Sequence, residues 1–129
     1  MKQILIIDDE PLIGSMLKKV FEREGFNVIV ASNGKEGMKL YKEKPPDLVI
    51  TDLIMPEKEG IEIIMELRKE DPNLPIIAMS GGGLNAPDSY LNIANILGAN
   101  AIFSKPIKIE ELLNIVKTMP IRLRPKTPS

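Results

Sequence analysis

The sequence predicts an α/β domain built on a doubly wound, five-stranded parallel sheet, and three observations carry this prediction. Five short apolar runs alternate along the chain with segments of helical periodicity. The runs contain Ile, Leu and Val at consecutive positions, which is typical of parallel strands covered by helices on both faces. Each run is followed by residues that favour a turn. Right-handed crossovers between such strands favour the strand order 2-1-3-4-5.

The predicted elements follow one another along nearly the whole chain. Strands are expected at residues 3–7, 27–31, 48–51, 75–79 and 101–103. Helices are expected at residues 11–24, 35–43, 60–70, 87–97 and 109–119. Arg68 and Lys69 lie near the end of the third helix, where positive charge suits the helix dipole. We expect one domain over residues 1–119 and a flexible tail, or the start of a linker, over residues 120–129.

Two of the helices differ in where their apolar residues are expected to lie. The first should bury one stripe of side chains against the sheet, formed by Leu12, Ile13, Met16, Leu17, Val20 and Phe21. Helix 87–97 has Asp88 as its single charge and apolar residues spread widely around it. Part of its surface is therefore expected to be exposed as a face for a partner or a second copy, and the alternative is a well-buried helix.

The composition excludes several kinds of chemistry and partner. The 129 residues include no Cys and no His, which excludes disulfides, thiolate chemistry, Cys/His zinc sites and imidazole acid–base catalysis. A bound metal would need oxygen ligands, which favours Mg²⁺, Ca²⁺ or Mn²⁺. The net charge of −1 gives no electrostatic footprint for nucleic acid. No apolar run indicates a signal peptide or a membrane span, so a cytoplasmic location is expected.

Polar side chains follow the strands at the edge where chemistry collects in such sheets. The residues are Asp8, Asp9, Asp52, Ser80 and Lys105. Two carboxylates about 4 Å apart repel each other by about 4 kcal/mol at an effective dielectric near 20. A cation should therefore join them, and three carboxylates, Mg²⁺ and Lys105 sum to zero charge. A carboxylate in this setting can act as a nucleophile and form an aspartyl phosphate, with metal and ammonium neutralising the transferring oxygens.

The chain resembles the receiver domains of bacterial two-component response regulators over residues 2 to about 119. The resemblance rests on Ile-Asp-Asp-Glu at 7–10, Thr-Asp-Leu-Ile-Met-Pro at 51–56, Gly60, Met-Ser-Gly at 79–81 and Phe-Ser-Lys-Pro at 103–106. It implies the flavodoxin-like arrangement of the sheet. It also implies a module that catalyses only its own phosphorylation and dephosphorylation, and is therefore not an enzyme acting on other substrates.

The resemblance implies a role for each carboxylate. Asp52 would accept a phosphoryl group from a phosphohistidine on a sensor histidine kinase or phosphotransfer protein. Asp9, Asp52 and the backbone carbonyl of Ile54 would bind Mg²⁺, and Asp8 would act on the metal through a water. The donor imidazole would belong to the other protein, which agrees with the absence of His here.

The resemblance also implies how the phosphoryl group is held and reported. Lys105 would bind the group, Ser80 would move inward to hydrogen-bond it, and the Lys105–Pro106 peptide bond would be cis. The output partner is unknown and would contact helix 87–97 with the following strand and helix; a homodimer is another expected assembly. At the switch position three residues before the lysine, usually aromatic, this chain has Ile102. Phe103 would face the opposite side of the sheet.

One further expectation concerns dephosphorylation, and two rival functions stay open. Ile54 and Gly82 occupy positions that tune hydrolysis in the family, and because neither side chain is polar we expect no fast self-dephosphorylation assisted from there. A rival function is a phosphohydrolase of the haloacid dehalogenase type, with Asp8 as nucleophile and Glu10 as the second acid. Another is an unphosphorylated protein-binding scaffold that uses the face of helix 87–97.

Overall fold

The fold is an α/β sandwich in which helices cover both faces of one parallel sheet. The computed structural model describes residues 2–53, 60–80 and 98–119. Within these residues the strands are β1 (Gln3–Ile7), β2 (Asn27–Ala31), β3 (Leu48–Asp52), β4 (Ile76–Ser80) and β5 (Ala101–Ser104). The helices are α1 (Pro11–Arg23), α2 (Gly34–Glu43), α3 (Gly60–Glu70) and α4 (Ile109–Thr118). The predicted helix 87–97, Ile54, Gly82 and the predicted tail lie outside the described residues.

The five described strands form one sheet in the order β2-β1-β3-β4-β5, and every neighbouring pair is parallel. The predicted fold class and strand order are therefore confirmed. The register places Ile7 beside Thr51, Asp52 beside Met79 and Ser80 beside Ser104. As a result the carboxyl ends of β1, β3, β4 and β5 lie along one edge of the sheet.

Alternating side chains of the strands feed two apolar layers, one on each face of the sheet. Leu5, Val49 and Ala78 pack with residues of α2 and α3 on one face. Ile4, Ile50 and Met79 pack with residues of α1 and α4 on the other. Ile102 contacts the first layer and Phe103 the second, so these neighbours face opposite sides as predicted. Among the described residues, no helix is both long and apolar enough to cross a membrane.

The predicted stripe of α1 is too wide. Leu17 and Phe21 are buried, and Ile13 and Val20 are half-buried. Leu12 is 84% exposed and Met16 is 38% exposed. Because successive residues advance about 100° around a helix, Leu12 and Met16 lie a quarter-turn away from the line of Ile13 and Leu17 that contacts the sheet. They present an apolar surface beside the carboxyl edge instead.

Three strands continue one residue further than predicted; β5 ends at Ser104, and the other two now include predicted site residues. β3 includes Asp52, and β4 begins and ends one residue later than expected and includes Ser80. The backbone of Leu53 continues the ladder by donating to the carbonyl oxygen of Met79 at 2.8 Å. The aspartate and the serine therefore belong to strands rather than loops, and sheet hydrogen bonds fix their backbone positions.

Candidate functional site

The site is centred on the ammonium group of Lys105, which lies among three carboxylates. Lys105 Nζ is 3.0 Å from Asp8 Oδ2, 2.9 Å from Glu10 Oε1 and 3.0 Å from Asp52 Oδ2. An ammonium group has three N–H donors, so each of these carboxylates can accept one. These are charge-assisted hydrogen bonds, which are stronger than neutral ones.

The strand ends determine where these side chains lie. Asp8 directly follows β1, and its backbone N–H donates to the carbonyl oxygen of Ala31 on β2 at 3.1 Å. Its Oδ1 accepts from the Glu10 backbone N–H at 2.9 Å, which fixes the carboxylate across the turn into α1. Lys105 follows β5, and its backbone N–H donates to Ser80 O at 2.8 Å. The Lys105–Pro106 peptide bond is cis, as predicted.

Burial sets the electrostatics of the site. Asp8 and Asp52 are both buried, and their positions beside Lys105 compensate their charge in part. Burial raises the pKa of Asp8, and this outweighs the lowering by the Glu10 backbone N–H and by Lys105. Burial alone would lower the pKa of Lys105, but its hydrogen bonds to Glu10, Asp8 and Asp52 together raise that pKa above its usual value.

The acidic side chains form a group that suits a divalent cation. One carboxylate oxygen from each of Asp8, Asp9, Glu10 and Asp52 lies within 4.8 Å of the others. The donor set consists of oxygen only, which is the set that Mg²⁺ prefers. Ser80 Oγ is buried and has no hydrogen-bond partner among the described residues. A buried hydroxyl without a partner is unfavourable, so Ser80 is available to a group bound in the crevice.

Comparison with known proteins identifies the family. The family profile described as the response regulator receiver domain matches residues 4–117. The chain belongs to this family. Sporulation initiation phosphotransferase F of Bacillus subtilis is 34% identical over 116 residues, which cover 90% of this chain and 91% of that protein.

Two further similar proteins show how much of this chain and of each relative the similarity covers. The alkaline phosphatase synthesis transcriptional regulatory protein PhoP of Bacillus subtilis is 34% identical over 128 residues, 99% of this chain and 52% of that protein. The receiver domain thus spans about half the length of that regulator. The structure of the response regulator protein TrrA of Thermotoga maritima in complex with Mg²⁺–BeF has a TM-score of 0.80 and 32% identity. It covers 91% of this chain and 97% of that one.

Family membership establishes the class of function. The chain is a receiver domain of phosphorylation-based two-component signalling, whose partners are kinases or phosphotransfer proteins. Receiver domains bind Mg²⁺ at an acidic pocket, and this chain has such an Asp cluster. A receiver domain is generally not a metabolic enzyme. The comparisons give no support to the haloacid dehalogenase alternative.

Most of the predicted site residues meet in this receiver domain. The structure brings Asp8, Asp52 and Lys105 into direct contact, and Asp9 lies in the same acidic group. Ser80 lies on β4, one residue beyond the partner of Asp52 in the ladder. Ile54 lies outside the described residues, so its backbone carbonyl stays a prediction.

Glu10 contacts Lys105, although the sequence predicts a role for it only in the rival phosphohydrolase. The signal was present in the Ile-Asp-Asp-Glu motif. However, an acid just before a helix that begins with Pro11 is accounted for by the helix dipole alone, so the sequence did not require a contact with a lysine 95 positions later.

Gly60 contacts the backbone at the end of β3. Its backbone N–H donates to the Leu53 carbonyl oxygen at 3.0 Å. A Cβ at this position would overlap the backbone carbonyl oxygen of Asp52 and lie 2.6 Å from the Cα of Leu53. Only glycine therefore lets α3 begin this close to β3, and this contact explains why the motif contains a glycine here.

Proposed function

We propose that Asp52 is the phosphoacceptor of this receiver domain. The observation that carries the proposal is the position of its carboxylate, which is at the end of β3, in a side chain only 4% exposed, and 3.0 Å from Lys105 Nζ. Asp8 is the other buried carboxylate among the described residues, and its Oδ1 and Oδ2 accept from the Glu10 N–H and from Lys105. That arrangement suits an electrostatic role for Asp8.

In the proposed reaction an oxygen of Asp52 forms a bond to phosphorus while the bond from phosphorus to the donor breaks. The donor nitrogen or oxygen leaves with the electron pair of that bond. Lys105 would hold the transferred group by its positive charge, and the Ser80 hydroxyl would donate a hydrogen bond to it. The domain would thereby catalyse only its own phosphorylation and dephosphorylation.

The residues that would hold Mg²⁺ are Asp9, Asp52 and the backbone carbonyl of Ile54, with Asp8 acting through a water. When bound, the ion would supply positive charge that offsets the transferring oxygens. The acidic group supports this set because it has four carboxylates, of which the Lys105 ammonium contacts three among the described residues. The cytoplasmic location and the domain boundary at residue 119 stay predictions.

The phosphohistidine of the donor would approach over the start of α1. The donor has to bring phosphorus to a buried aspartate, so it must contact the rim of the crevice. Leu12 is 84% exposed only two residues after Glu10, and Met16 lies one turn further along α1. An exposed apolar pair at this rim suits a protein surface. The output partner would contact helix 87–97, β5 and α4.

Mass spectrometry tests the acceptor. Incubation with acetyl phosphate and Mg²⁺ should add one phosphate that is stable to acid and labile to base. The label should be absent in Asp52→Ala. It should be present in the control Asp47→Asn, because the Asp47 side chain accepts a hydrogen bond from the Gln3 backbone N–H at the other edge of the sheet. A label that persists in Asp52→Ala contradicts the assignment, and sustained hydrolysis of phosphate esters would support the phosphohydrolase instead.

The docking surface has a separate test. Leu12→Ser should slow phosphotransfer from a phosphohistidine protein while leaving the rate with acetyl phosphate unchanged. Met65→Ser is the matched control, because Met65 is 53% exposed on α3. Equal slowing by both variants, or slowing with acetyl phosphate, would place the docking surface elsewhere.

A further inference from the structure

Glu10 is bound to the lysine that the phosphoryl group needs. Within the described residues, Lys105 donates to Asp8, Glu10 and Asp52 at 3.0, 2.9 and 3.0 Å. These three carboxylates match the three protons of its ammonium group. A phosphoryl group on Asp52 can take over the proton that Asp52 now accepts, but it gains a second hydrogen bond from Lys105 only if Asp8 or Glu10 releases its contact. This step rests on the proposed role of Asp52 as phosphoacceptor.

The three carboxylates differ in how readily they can be released. The Asp8 side chain is fully buried and is also fixed by the Glu10 backbone N–H. Asp52 is the proposed acceptor, so its contact with Lys105 passes to the phosphoryl group that it would carry. The Glu10 side chain is 57% exposed. A buried carboxylate that loses its cation is left without compensation, whereas an exposed one is solvated by water.

We propose that Glu10 is a positioning residue that holds Lys105 before phosphorylation and releases it when the phosphoryl group arrives. Glu10 and the phosphoryl oxygens thus compete for the same ammonium proton. The contact keeps the lysine directed at the crevice, and its loss lowers the net gain from phosphorylation. Glu10 therefore sets how tightly the site binds a phosphoryl group, without contacting that group itself.

Phosphorylation of Asp52 by acetyl phosphate needs no further reactant. With acetyl phosphate as donor, an oxygen of Asp52 bonds to phosphorus, the phosphorus–oxygen bond to the acetyl group breaks, and acetate leaves with the electron pair. No proton is transferred. One N–H of Lys105 then turns from Glu10 Oε1 to a phosphoryl oxygen, and water solvates the released glutamate.

Beryllofluoride, a mimic of the phosphoryl group, provides the test. It is titrated at saturating Mg²⁺ into the wild type, Glu10→Gln and Glu10→Ala, with binding followed by NMR. Glu10→Gln should lower the concentration for half-saturation about two- to fivefold, the size of one partly exposed ion pair, and Glu10→Ala at least as much. The control Glu43→Gln removes the same charge from an exposed position on α2 and should leave binding unchanged.

Salt dependence separates this role from a merely structural one. The ratio by which Glu10→Gln improves binding should shrink as NaCl rises to 1 M, because the Debye length falls to about 3 Å and partly exposed ion pairs weaken. Weaker or unchanged beryllofluoride binding in Glu10→Gln overturns the proposal, as does an equal gain in Glu43→Gln. If the wild type gains no phosphate at Asp52, the proposed function fails first. If it is phosphorylated and the Glu10 variants match it, only this inference fails.

Discussion

Two cations at opposite edges of the sheet show how one fold combines a responsive end with a fixed one. Lys105 lies at the carboxyl edge and is bound by carboxylates, one of them exposed. Arg68 lies near the end of α3, at the amino edge. It makes five hydrogen bonds of 2.6–3.2 Å, to the carbonyl oxygens of Asp71, Leu74 and Gly98 and to Asn100 Oδ1, with Gly98 accepting two of them.

The difference lies in what each cation can exchange. A guanidinium group has five N–H donors in a rigid plane, and Arg68 uses five of them on acceptors that are mostly backbone. Releasing the 2.6 Å bond to Leu74 would remove a donor from a partly buried carbonyl oxygen. An ammonium group rotates and can replace one carboxylate by another anion. The amino edge therefore joins α3, β4 and β5 permanently, while the carboxyl edge can respond to a ligand.

The largest expected effect is the loss of the fixed cation. Arg68→Met should lower the free energy of unfolding by about 2–4 kcal/mol, because the backbone carbonyls of the α3–β4 turn and of Gly98 lose their donor. Urea unfolding measures the change. Lys69→Met, at the neighbouring exposed position, is the control and should change stability by less than about 0.5 kcal/mol. Equal losses in the two variants would show that Arg68 is not a structural centre.

A second expected effect concerns the backbone behind the site. Gly60→Ala should cost about 1–3 kcal/mol and reduce phosphorylation, because its Cβ would overlap the Asp52 carbonyl and the strand must move. Gly14→Ala in α1 is the matched comparison. Its Cβ would lie 2.8 Å from Cγ1 of Val30, a side-chain atom that can shift. Unfolding curves and the phosphorylated fraction should both separate the variants; a fully phosphorylated Gly60→Ala would contradict this explanation.

The sequence predicted the responsive end better than the fixed one. Continuous apolar runs such as Leu48–Ile50 identify parallel strands because both faces are buried, and the order of the strands then brings Asp8, Asp52 and Lys105 together. At Arg68 the sequence indicates only a positive charge that complements the helix dipole. Its acceptors are mostly backbone carbonyls, and these carry no signature in the amino-acid sequence.

Other differences have similar physical causes. The sequence predicts that β3 and β4 end before Asp52 and Ser80, because both residues are polar. The hydrogen bonds of the sheet depend on the backbone, however, and each strand includes its polar residue. Leu12 was placed in the core because it is apolar, although the sheet covers only the line through Ile13 and Leu17. Side-chain polarity thus predicts that helices cover both faces of the sheet, but it does not predict where these strands end or which side of α1 is exposed.

A third expected effect removes the responsive cation. Lys105→Ala should remain folded, with a stability loss of about 1–2 kcal/mol, smaller than that of Arg68→Met because Asp8 can take up a proton. Its response to phosphorylation should nevertheless be lost, because no ammonium group reaches the phosphoryl oxygens. Amide NMR spectra with and without beryllofluoride measure the response. A full conformational response in Lys105→Ala would contradict the role proposed for this lysine.

The smallest expected effect is a difference in pH dependence between the two cations, measured without metal. The pKa of Asp8 in the folded protein is raised above 3.8 by burial, so on acidification the folded state binds this proton before the unfolded chain does. Asp8 therefore contributes more to the free energy of unfolding as pH falls toward 3.8. This contribution is larger in Lys105→Ala, because Lys105 lowers the pKa of Asp8 in the wild type. The stability loss of Lys105→Ala should therefore shrink below neutral pH.

At alkaline pH the change in stability comes from Lys105 itself. Its pKa in the folded protein is raised above 10.5, so its stabilisation is fully present below pH 10.5 and is lost as pH rises through the higher, folded value. The loss in Arg68→Met should stay constant between pH 5 and pH 8, because backbone carbonyls do not titrate and guanidinium remains protonated there. Unfolding free energies of both variants across pH measure this. Parallel profiles would mean that the two edges do not differ in the way their cations are bound.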